Sequence, residues 1–144
     1  MPNLHPFLVH FPVALLSLSV LCECAALLFK REDLSAVGWW TQLAGTIGLA
    51  AAAGTGIMAG DSVRLPEAGK ATLEMHQEIA FVASTVFAVL LFWRIASGTK
   101  RPPGRDTVFI LLFAAGVAAI WAGAWYGGEL VYIFGAGVHA APVP

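Results

Sequence analysis

Charge is what this chain has least of. Asp, Glu, Lys and Arg make up 12% of its 144 residues, about half the share of about 25% found in an ordinary soluble domain. That scarcity excludes a conventional solvated surface. Cysteine is confined to Cys22 and Cys24. Two positions apart on a helix they face different directions, out of disulfide reach, and read as small packing residues. The Cys-x-x-Cys-His pattern of covalent c-type haem is missing, so any haem here would be held non-covalently. The sequence has no nucleophile elbow, no phosphate-binding glycine loop and no paired carboxylates in its apolar runs, which leaves no hydrolytic constellation. The segment Met1 to Leu8 carries neither Lys nor Arg, and the run behind it is too long for the h-region of a secretory signal. A retained first helix is expected.

What the chain does have is apolar length. Hydrophobic residues reach 58% and the mean hydropathy is +0.77, blocked into runs near the ~20 residues that cross a bilayer. Backbone groups in lipid must be satisfied within the segment, so the runs predict helices over about 7–29, 39–59, 76–95 and 107–126. The connections are short, which favours antiparallel neighbours. The expected fold is all-α: one domain over 1–144, an up-down-up-down transmembrane four-helix bundle with a short C-terminal interfacial segment. The first and third helices then lie diagonally across the core. No internal repeat is read from the sequence.

Loop charge gives the orientation. Lys30, Arg31, Arg94, Lys100, Arg101 and Arg105 fall on one side, and only Arg64 and Lys70 on the other. The positive-inside rule puts the first group in the cytoplasm and both termini outside, as for a multi-pass protein of a bacterial inner membrane. Topology explains the basic residues, so nucleic acid is not an expected partner. Trp39, Trp40 and Trp93 toward one interface, and Trp121, Trp125, Tyr126 and Tyr132 toward the other, form an aromatic belt.

The same topology brings His5, His10, His76 and His139 to the outer side. Neutral imidazole ligates haem iron, copper and zinc. His10 stands at the start of the first helix, with Pro12 suited to a first turn, and His76 heads the third. Across the diagonal these two are the expected axial pair for a b-type haem. His5, separated from His10 by Pro6, is expected to precede the helix and to serve as a neighbouring partner or alternative ligand. The rival reading is a copper or zinc site on His5, His10, His76 and His139, with Asp61 or Glu78. A segment from Gly127 to Gly135 reads as a glycine-hinged lid, with Arg64 and Lys70 placed to neutralise propionates and Tyr132 to hydrogen-bond them.

Stepping by three and four from His10 gives the stripe Ala14, Ser17, Leu21, Cys24 and Leu28. Comparable small-residue stripes run through Gly45, Gly48, Ala52 and Gly56, through His76, Ala80, Ala83 and Phe87, and through Gly116, Ala119, Gly123 and Gly127. They suit close helix packing and would equally make room for a flat macrocycle. Glu23 is the odd charge, within the first run but only roughly one or two turns from its cytoplasmic end. It is expected to snorkel to the interface or to pair with Arg94.

His5-Pro6, Val9-His10-Phe11-Pro12, His76, Gly127-Gly128-Glu129-Leu130-Val131-Tyr132, Gly135 and Gly137-Val138, with the acidic Glu23, together resemble the bacterial membrane proteins catalogued as domain of unknown function 2231. The resemblance covers essentially the whole chain. It implies a four-helix integral membrane protein for which b-type haem binding is suspected, sometimes joined to cytochrome-like modules. It marks His5, His10 and His76 as motif positions and leaves His139 outside. The family's activity is not established. The expected function is one-electron transfer by a haem protein between a quinol or membrane partner and a periplasmic cytochrome. Copper or zinc handling, and a structural accessory subunit, are the alternatives. The lipid bilayer is the certain partner, and a homo-oligomer or a larger complex is open.

Overall fold

The computed structural model describes residues 4–101 and 104–138, all helix and connection. Five helices follow in order: α1 (His5–Leu8), α2 (His10–Phe29), α3 (Glu32–Gly60), α4 (Glu67–Ala96) and α5 (Asp106–Tyr132). α1 and α2 form one span, interrupted at Val9. Pro12 accounts for the break, because it has no N–H to give the Leu8 carbonyl. Four spans are therefore long and apolar enough to cross a bilayer. α3, α4 and α5 outrun their hydrophobic stretches, since polar first turns such as Glu32-Asp33, Glu67 and Asp106 extend them and suit the helix dipole. α5 runs unbroken through Gly127-Gly128 to Tyr132, so the expected hinged lid is a helical turn instead. Only after it do Gly135 (φ 67) and Gly137 (φ 73) turn the chain.

α2 packs on α3 and α5, and α4 packs on the same two, while α2 and α4 face each other diagonally. The core they share holds Leu16, Phe87, Leu90, Phe109 and Phe113, with Phe87 and Phe109 both edge-on to Phe113 at 5.2 and 5.8 Å. The outward faces are the opposite: Phe81, Phe92, Trp125 and Met58 are among the exposed large apolar side chains, as lipid contact requires.

The bundle contains a repeat that the sequence conceals. α2 buries Pro12, Leu16, Ser19 and Glu23. Shifted by 71 positions, these are Ala83, Phe87, Leu90 and Arg94, four of the five residues that α4 buries, the fifth being Gly69 in its first turn. α3 buries Gly38, Gln42, Gly45, Leu49 and Ala52. The same shift gives Phe109, Phe113, Gly116, Ile120 and Gly123, buried in α5. Two helical hairpins, α1–α3 and α4–α5, therefore pack about an approximate twofold axis along the bundle.

Glycine contacts repeat as well. A Cβ on Gly45 would come within 2.7 Å of Leu16, and one on Gly116, its counterpart, within 2.9 Å of Phe87. Both neighbours are fully buried. Gly45→Ala is expected to destabilise the bundle by about 1–3 kcal/mol through overpacking, seen as a lower Tm in detergent. Gly54→Ala, whose Cβ meets nothing within 4 Å, is the control and should match or exceed the parent.

Candidate functional site

At one end of the bundle two imidazoles meet across the diagonal. They belong to His5 and His76, with ring centroids 6.2 Å apart and planes at 83°. His10 is not in this pair; it is exposed and borders one adjoining cavity. The difference follows from where the helix begins. With Pro6 in its first turn, the helix starts at His5 rather than after it. Five positions on, His10 is rotated well away from His5 around the helix.

Each imidazole is tied to its own hairpin in the same way. His5 Nδ1 donates to the Ala52 carbonyl at 2.9 Å, and His76 Nδ1 donates to the Gly123 carbonyl at 2.8 Å. Both bonds span 47 residues. A carbonyl only accepts, so each Nδ1 carries the proton, and in the neutral ring Nε2 carries the lone pair. Metal-binding histidines are commonly oriented by this kind of bond. One turn beyond each carbonyl a glycine makes room for the ring: a Cβ on Gly56 would lie 2.8 Å from His5 Cε1, and one on Gly127 3.3 Å from His76 Cε1. Gly56→Ala should therefore displace His5 and weaken its bond to Ala52 while the helices persist. The His5 imidazole NMR signals in the purified protein would shift, with circular dichroism unchanged.

Two mostly apolar cavities, of about 540 and 450 Å3, flank the pair, and both histidines line both. They are counterparts under the 71-residue shift. The larger is bordered by Asp61, Phe81 and Ser84, where the smaller has Tyr132, His10 and Val13; Gln77 borders the larger, while its counterpart Pro6 borders both. Ser84 Oγ is buried without a hydrogen-bond partner among the described residues. Tyr132 is thus at the site, although largely exposed; Arg64 is exposed in the α3–α4 connection and lines neither cavity. His139 lies outside the described residues. Among the described residues no group of three or more His, Cys, Asp or Glu is placed to hold a metal ion. A bare copper or zinc ion needs three or four such donors, whereas haem asks the protein for only two axial ligands. The donor set fits haem.

The opposite end holds the other buried polar group. Glu23 is fully buried and ion-paired to Arg94, and Arg101 Nη1 reaches its second oxygen at 2.7 Å. Arg94 also donates to Gln42 Oε1 at 2.9 Å and to the Ser35 carbonyl at 3.0 Å, with Trp39 stacked 5.5 Å from its guanidinium carbon. Arg101 Nε holds Asp106 at 2.8 Å. Burial alone would lower the Arg101 guanidinium, but its bonds to Glu23 and Asp106 outweigh that and raise it. Of the two fates expected for Glu23, pairing with Arg94 is the one found, and it is not a snorkelling side chain. The parts of this cluster that sequence reasoning missed are Gln42, Ser35 and Arg101. An amide in the middle of an apolar run was the available signal for Gln42.

No curated protein and no solved structure matches the chain. A family model does match, over residues 1–140, which takes in all of His5, His10, His76 and the Gly127–Tyr132 segment. With its four apolar spans and its histidine pair in place, the chain belongs to the family described as Predicted membrane protein (DUF2231).

Proposed function

We propose that the chain is a membrane-bound b-type haem protein whose axial ligands are His5 and His76. One observation carries the reading: two imidazoles, each oriented through Nδ1 by a backbone carbonyl, stand 6.2 Å apart between two apolar cavities. At that separation His5 and His76 would be the two residues that hold a haem, each through its Nε2 lone pair. Bound there, haem supplies reversible one-electron transfer. The chain's own part is to hold both rings in one tautomer, to keep side chains off them at Gly56 and Gly127, and to exclude water with apolar walls. His10 and Tyr132 at the edge of the smaller cavity are hydrogen-bonding groups for a ligand's polar rim.

The site's position suggests its partners. Lys30, Arg31, Lys100, Arg101 and Arg105 cluster at the Glu23–Arg94 end. By the positive-inside rule that end faces the cytoplasm of a bacterial inner membrane and the histidine pair faces the periplasm. A quinol in the bilayer and a periplasmic cytochrome are the electron donor and acceptor this placement serves.

The test is the absorption spectrum of the detergent-purified chain, oxidised and dithionite-reduced, after expression with ample haem. A Soret band with sharp α and β bands on reduction, at one haem per chain, is the expected result. A featureless spectrum would sink the reading and leave an accessory membrane subunit whose histidines only orient and pack.

A further inference from the structure

We infer that the chain is an internal duplication of one two-helix hairpin, and that the Glu23–Arg94 pair makes the two halves unlike, so that the first hairpin pairs with the second and not with its own kind in another copy of the chain. The inference is independent of any haem.

The register carries the first half of it. A single shift of 71 positions, without gaps, superposes the buried faces of α2 on α4 and of α3 on α5. It also superposes His5 on His76, the two Nδ1 bonds of equal span, and the two glycines beneath the rings. Unrelated helices would have to match in packing phase, in the spacing between the buried positions of successive helices and in side-chain contacts at once. Hairpins with both chain starts at one end are parallel repeats about an axis along the bundle, an arrangement known among membrane proteins.

The axis carries the second half. Positions facing it meet their own counterparts: His5 against His76 at one end and Glu23 against Arg94 at the other, with Leu16 and Phe87 both in the buried core between them. Apolar and imidazole pairs would be satisfied equally if two first hairpins, or two second hairpins, came together from different chains. The charged pair would not. Two first hairpins would bury Glu23 against Glu23, and two second hairpins Arg94 against Arg94. Like charges facing each other out of water exclude a partner more strongly than a contact selects one. A buried ion pair adds little net stability, and its best-attested use is to fix which element pairs with which.

Full-length variants in detergent test the pairing. Glu23→Arg and Arg94→Glu alone put like charges on the axis, and each should lose monomer and show a Tm lower on the order of 10 °C. A single variant that fails to accumulate counts as complete loss. The exchange variant E23R/R94E should do better than either single, because it restores an opposite-charge pair on the axis, but fall short of the parent, because Arg101 then meets an arginine where it held Glu23. An exchange variant no better than the worse single would overturn the role of this pair in matching the hairpins. The two singles, co-expressed with different tags, should then rescue each other and co-purify, because every hairpin finds an opposite charge only in the other chain; wild-type chains with the same tags set the baseline, and the mixed singles should exceed it. Singles that show no mutual rescue, or wild-type chains that exchange as freely, would overturn the pairing role.

Discussion

Glu23→Leu is expected to be the most damaging single substitution in the bundle. It leaves the Arg94 guanidinium, 1% exposed, without a carboxylate at a depth where water cannot replace it. Arg101 loses the same partner, although Asp106 still holds it at 2.8 Å. Removing one member of a buried pair costs about 3–5 kcal/mol, most of it the burden of the charge left behind. The Gln42 and Ser35 oxygens still accept from Arg94, which places the cost within that range rather than above it. Removing both charges is a different matter. Glu23→Leu with Arg94→Met should recover most of the loss, since apolar groups of similar volume often replace a buried pair at no cost. Thermal unfolding in detergent, followed by circular dichroism, reads both variants. A Glu23→Leu protein as stable as the parent would show that the cluster is hydrated.

Loss of the haem spectrum in His5→Ala and in His76→Ala, but not in His10→Ala, is the second large effect expected. On the proposed reading the first two each remove a residue that would hold the haem, and each leaves the adjoining cavity open to water. Losing even a group that merely orients a metal ligand costs about 10–100-fold in metal affinity, so losing the ligand itself should cost more. The two losses should also be alike, because each ring has a carbonyl partner at nearly the same distance, 2.9 and 2.8 Å. His10→Ala should keep the sharp reduced bands and alter only their position, as the smaller cavity changes polarity. Titration of haem into the purified apoproteins reads all three. Loss of the bands in His10→Ala alone would return the axial role to His10.

Hydropathy located all four spans, because lipid contact dictates composition around the whole outside of each helix. Three of the four inward faces were also legible. Gly45 and Ala52, Ala83 and Phe87, and Gly116 and Gly123 are all buried as their stripes predict. The face of α2 was not. Phased from His10, the stripe runs through Ala14, Leu21 and Cys24, which are exposed. Taking the phase from Glu23 would have given the buried face, since a carboxylate in a lipid-crossing helix turns toward the protein. The repeat was illegible for a related reason. Packing phase survives substitution as long as burial is kept and neighbours fill the space, so Leu16 and Phe87, or Gly38 and Phe109, hold equivalent places without resembling each other. His5 and His76 share a residue type, but two letters in a sequence carry no register.

The internal anchoring of each imidazole bears on how the protein is made. His5 is held by Ala52 and accommodated by Gly56, all within the first hairpin. His76 depends on Gly123 and Gly127, all within the second. Synthesis proceeds from the N-terminus, and units of structure form as they emerge. The first imidazole can therefore be set in its final tautomer and direction before α5 has left the ribosome. The second is fixed only when the last helix inserts. Closure of the pair is thus the final event in building the bundle, and a chain arrested or truncated before Gly123 would present half a site to the membrane and capture nothing with it.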